Sequence, residues 1–162
     1  MGAWGYEALE SDEGLDIVDC ITDYVSEQKD KEKVDLTLSQ LIALLKEKGF
    51  FGNDFDEIDF FYDNAAMALT ELYFMFQDEG ILDYEDEEDE SSSLKDRVQS
   101  FEADKESLTY LLRYLTDMKN EVPDEDGERE IVELWKDSDC WEDWSAHLNS
   151  LINRVNKEIE KL

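Results

Sequence analysis

The stretch Phe55–Phe76, FDEIDFFYDNAAMALTELYFMF, limits the folds open to this chain more than any other. It contains no Pro and no Gly, so nothing inside it must break a helix. Phe55, Ile58, Tyr62, Ala65, Leu69, Leu72 and Phe76 recur at steps of three and four and hold one helical face. Phe61, Ala68, Tyr73, Phe74 and Met75 carry apolar surface to the other sides. A helix that is apolar nearly all round is buried among others. Asn53 or Asp54 is placed to cap it, and Gly80 to end it. Asp59, Asp63, Asn64 and Glu71 interrupt it, which excludes a membrane span. The three acids are left to explain. Exposed, they decorate a core strut; buried, they bring back the reading as a metal-binding protein.

Shorter stripes supply this helix with neighbours. Ser11 or Asp12 can cap a first helix with Leu15, Val18, Ile21 and Val25 inward. Residues 26–35 read as a polar link. Thr37 with Gln40 is a capping-box pattern, opening a helix with Leu38, Leu41, Ile42 and Leu45 inward and a stop at Gly49. Residues 94–120 read as helical, with Val98, Phe101, Leu108, Leu111, Leu112, Leu115 and Met118 as the stripe and a break near residues 103–105. Pro123, Asp124, Asp126 and Gly127 form a turn. Ile131, Val132, Leu134 and Trp135 give a short helix. Ser138 or Asp139 caps the last helix, whose face is Trp141, Trp144, Leu148, Leu151, Ile152, Val155, Ile159 and Leu162. No stretch alternates long enough to argue for a sheet. The expected fold is all-α, a single domain over residues 1–162, with about six helices around a central apolar helix at 55–79. The first, fourth and last helices should flank the central one.

Charge narrows the partners. Forty-five acidic and 15 basic side chains leave a formal net charge of -30, which opposes compaction. Hydrophobic residues at 41% are too many for a disordered acidic chain, so a core is expected to outweigh the repulsion. Nucleic acid and anionic membranes are repelled, because both are bound through Lys and Arg. A basic protein is attracted. The densest negative run lies in residues 83–93, DYEDEEDESSS, expected as a mobile loop. Within it Asp83, Glu85, Asp86, Glu87, Glu88, Asp89 and Glu90 surround Tyr84, an amphipathic aromatic suited to interfaces. This run is the first-choice surface for a basic partner.

Catalytic and metal chemistry find little support. His147 is the only histidine, and Trp144 stands where a di-metal carboxylate helix needs Glu. Asp143 and His147, one turn apart, offer two ligands at most. Asp124, Asp126, Gly127 and Glu133 match part of a calcium loop, but Val122 occupies its first ligand position. No serine or cysteine has a nucleophile motif around it. The expectation is a non-enzyme with no cofactor and no dedicated metal site. Cys20 and Cys140 stand in no CxxC pair and read as reduced thiols. The N-terminus lacks a basic region followed by an apolar one, so no secretory signal is read, and a cytoplasmic protein is expected.

The opening MGAWG, followed by Glu10, Asp12, Leu15 and Asp16, resembles a bacterial family of unknown function whose members begin roughly MGAWGxGxFENDxALDWL. Glu7, Leu9, Ser11, Gly14 and Ile17 depart from that pattern. The resemblance covers about eighteen residues. It implies a small, helical bacterial protein and brings no activity. Residue logic docks Trp4 on the core and clusters Glu10, Asp12 and Asp16 at the start of the first helix, where acids suit the helix dipole. A ligand site at those acids is the competing reading.

The function expected from charge, helical body and resemblance is that of an acidic binding protein. Its concrete form is an immunity- or antitoxin-like protein that sequesters a basic toxin or effector. The alternatives are a nucleic-acid mimic that inhibits a DNA- or RNA-binding protein, and a metal-binding helical protein. The sequence leaves the oligomeric state open.

Overall fold

The computed structural model describes residues 12–27, 34–52, 57–80, 98–123 and 127–162. Six helices and two strands are formed there: α1 (Asp12–Ser26), β1 (Val34–Thr37), α2 (Leu38–Glu47), α3 (Phe60–Glu79), β2 (Val98–Glu102), α4 (Lys105–Lys119), α5 (Glu130–Lys136) and α6 (Trp141–Lys161). The protein is predominantly α-helical, as the stripes require.

α3 is the axis. Residues 65–69, AAMAL, are at most 1% exposed, and three alanines among them let neighbouring helices approach closely. α1, α4, α5, α6 and β2 all pack on it. The helix begins at Phe60, five residues later than its apolar period suggests. Asp59 takes the cap position, accepting from the Phe61 N–H at 2.9 Å. That bond offers the backbone an exit from the helix that the apolar pattern cannot register. Gly80, at φ +74°, ends the helix in the left-handed conformation.

A small parallel sheet corrects the expectation of helices alone. β1 pairs with β2, Val34 opposite Val98 and Leu36 opposite Phe101, with a register irregularity after Val34. These four residues are buried. Val98 and Phe101 therefore belong to a strand rather than to the helix expected over 94–120, and the polar link ends at a strand rather than running into α2. Four- and five-residue strands carry too few alternations to stand out from a helical stripe.

Each strand leads into a helix, β1 at once and β2 after two residues. Thr37 closes β1 and caps α2, with the reciprocal Gln40 bond that its spacing predicts. Asp104 follows β2 and caps α4, accepting from the Ser107 N–H at 2.7 Å while Ser107 Oγ accepts from the Asp104 N–H. Ser39 Oγ donates to Asp104 Oδ2 at 3.3 Å and joins the two helix starts. Those bonds, the Ser107 N–H foremost, hold the Asp104 carboxyl below its ordinary range.

α5 and α6 close the core with indoles. Trp135 and Trp144 stack with centroids 6.0 Å apart, and Trp141 lies 5.6 Å beyond Trp144. The residue before α6 is Cys140, with no side-chain cap, so neither Ser138 nor Asp139 fills that role. Ser138 instead accepts from the Cys140 N–H.

Candidate functional site

The acids of α3 have partners on other elements. Asp63 is buried, 1% exposed, one turn beyond the Asp59 cap. Arg129, in the turn before α5, is 2% exposed and meets it with two parallel bonds, Nε to Oδ2 at 2.8 Å and Nη2 to Oδ1 at 2.5 Å. Arg129 Nη1 also donates to the Val122 carbonyl at 3.1 Å. The fork geometry of guanidinium suits this bidentate pairing. Burial pushes the Asp63 carboxyl up to about 6 against the pull of Arg129. The pair ties the centre of the core to the turn beyond α4, across 66 residues of chain.

Glu71 lies two turns further along α3. Its side chain is 7% exposed, and its Oε2 is 2.7 Å from His147 Nε2 on α6. Nearby, Arg154 of α6 holds Asp78 of α3 with bonds of 2.7 and 3.0 Å and lays its guanidinium on the Phe74 ring, 4.1 Å from the centroid. These residues line a cleft of about 260 Å³ between α3 and α6. His147 and Arg154 already engage carboxylates, so its chemistry is that of a clasp between helices. Asp143 is exposed on α6, and His147 is turned to Glu71 instead of sharing a metal with it. Among the described residues no group of three His, Cys, Asp or Glu side chains is placed to hold a metal ion.

A larger groove, of about 660 Å³, runs between α1 and the C-terminal end of α2. α1 contributes Asp16, Asp19, Cys20, Asp23 and Tyr24, and Glu27, in the turn just after it, continues the same stripe. The opposite wall is Leu44, Glu47, Lys48 and Phe50. Cys20, Tyr24, Leu44 and Phe50 are half-buried and form an apolar floor, and the charged residues are exposed along the rim. α1 buries its other face, Ile17, Val18, Ile21 and Val25, in the core. Burial pushes the Cys20 thiol up, so it stays protonated at neutral pH.

The first-choice partner surface, Asp83–Glu90 with Tyr84, lies outside the described residues, as do Trp4 and Glu10 of the N-terminal pattern. Asp12 opens α1, where the structure describes the backbone only. Asp16 is exposed and lines the groove. Of the calcium-loop residues, Gly127 sits at φ +84°, Glu133 is exposed on α5, and residues 124–126 lie outside the described set.

Two features escaped the sequence. Arg129 stands in EDGERE, which reads as solvated charge. Its one signal was the unexplained Asp63 on an apolar helix. The groove's floor comes from residues 20, 24, 44 and 50, which fall between the inward stripes of α1 and α2 and so carried no period of their own.

Residues 2–147 match the model of the family described as Domain of unknown function (DUF4259). The chain belongs to that family. The comparison with curated proteins and that with solved structures each gave no match. Membership agrees with the unknown-function character that the opening residues imply. No helix among the described residues is long and apolar enough to cross a membrane.

Proposed function

We propose that this DUF4259 protein is a non-enzymatic acidic binding protein that captures a basic protein partner. The observation that carries this reading is the α1–α2 groove, where five carboxylates and one lysine rim an apolar floor. Exposed acids raise the local concentration of a basic partner and speed its encounter, while apolar surface supplies the part of the affinity that salt does not remove. The formal charge of -30 extends the same attraction over the whole molecule. In a bacterial cell the concrete form is immunity or antitoxin action, with the partner a basic toxin or effector whose cationic working surface is covered. The acidic run Asp83–Glu90 with Tyr84 would add a second contact.

The test is capture of the partner from the native cell, followed by its association rate with two variants. One neutralises Asp16, Asp19, Asp23 and Glu47 to amides; the other neutralises residues 83–90 in the same way. A basic protein whose association slows and loses salt dependence in either variant supports the proposal. A neutral or acidic partner, or a basic one with an unchanged rate in both, overturns it. If the captured partner is a DNA- or RNA-binding protein displaced by nucleic acid, mimicry takes the place of immunity.

A further inference from the structure

We infer that the α1–α2 groove takes a cationic amphipathic helix of the partner protein, laid along α1. The inference rests on the acidic-binding reading above and names the element of the partner that is recognised. Asp16, Asp19, Asp23 and Glu27 recur at steps of three and four, so their carboxylates stand about one turn apart along one wall. From Asp16 to Glu27, the first residue past α1, is eleven steps of chain, roughly 16 Å at 1.5 Å per residue. Cys20, Tyr24, Leu44 and Phe50 lie below them, half-buried. An acidic row at helical pitch beside an apolar floor complements a helix with Lys or Arg on one edge and Leu-like side chains on the next. An extended peptide would present side chains to one face roughly every 7 Å and fall out of step with that row. A small polycation would satisfy the row and leave the floor open.

The experiment uses the full chain and two fourteen-residue probe peptides of identical Leu/Lys composition. One places leucines and lysines on adjacent faces of a helix; the other is scrambled. Binding is measured by calorimetry at about 0.15 M salt, and occupancy by alkylation of the two thiols. Cys20 lines the groove, whereas Cys140 precedes α6. The amphipathic peptide is expected to bind roughly tenfold or more tighter than its scramble, and to slow alkylation of Cys20 while leaving Cys140 unchanged. Asp16→Asn, Asp23→Asn and Glu47→Gln together should erase that difference. The same number of changes at the exposed acids Glu106, Glu142 and Glu160 should keep it. Equal binding of the two peptides, an unprotected Cys20, or displacement by spermidine at equal charge would overturn the helix-in-groove inference and leave the acidic-binding reading standing. Failure of both peptides to bind at all would remove the two together.

Discussion

Two arginine–aspartate pairs join distant parts of this chain with the same bidentate chemistry. Arg129–Asp63 is 1% exposed on both sides; Arg154–Asp78 is 39% and 55% exposed. Burial is what most separates them. The inner pair gave up hydration on both ions and depends on its partner to remain tolerable. The outer pair shares its charges with water, gains little from meeting, and is screened by salt. The same two-bond pairing thus stands for unequal dependence. The Asp63 carboxyl is pushed up by desolvation, while Arg154 draws the Asp78 carboxyl below its ordinary range.

The sharpest way to break the comparison is Asp63→Ala. It strands a buried guanidinium that cannot give up its proton, and should cost about 3–5 kcal/mol in urea unfolding. Arg129→Met should cost less, because the remaining carboxyl can take a proton and become neutral. The double variant Asp63→Leu/Arg129→Met should return to within about 1 kcal/mol of the parent or exceed it. A double variant as weak as Asp63→Ala would show that the pair itself stabilises the fold.

Acid is the second probe. Asp63 at about 6 lies above the ~3.9 of an unfolded aspartate, so the folded state holds an extra proton between those values. Stability from this group is therefore full below about pH 4 and lost as pH rises through 6, on the order of 3 kcal/mol. Relief of the -30 charge acts in the same direction. The thermal midpoint should rise from pH 7.5 to pH 5, and by less in the Asp63→Leu/Arg129→Met double variant. Asp104, held low by Ser107, works the other way and weakens the start of α4 only once pH falls below about 4.

The clasp Glu71–His147 falls between the two arginine pairs in burial. His147→Ala should cost about 1–3 kcal/mol, since it removes a charge-assisted bond from a largely buried carboxylate. The smallest effect belongs to Arg154→Ala, within the error of a urea titration at 0.15 M salt once the loss of Phe74 packing is allowed for by Arg154→Met. An Arg154 variant as damaging as the Asp63 one would end the argument from burial.

The sequence disclosed the helical stripes because each repeats its period several times, as α6 does from Trp144 to Val155. The Thr37–Gln40 box was legible because both halves lie within one turn. Long-range pairing was not. Val34 and Val98 look like members of a polar link and a helix until they meet, and nothing near Arg129 announces that it is buried. Asp63 was readable as a question, an acid inside an apolar face, but the answer lies 66 residues away. The groove escaped for a related reason: an acidic stripe above half-buried residues looks, residue by residue, like an ordinary solvated helix face.

The β1–β2 pair also orders events in time. Its strands are separated by 64 residues, from Val34 to Val98, so closing it requires both halves of the chain. Loop closure of that span precedes any bond it secures, and contacts of such separation slow folding. On a ribosome adding roughly 5–20 residues per second, β1 waits about 3–13 s for its mate to be made. Through that interval Val34 and Leu36 are an unpaired edge, with α2 free to form behind them. The nascent chain thus passes through a window in which its first half is helical but unsealed, and the arrival of Phe101 closes it.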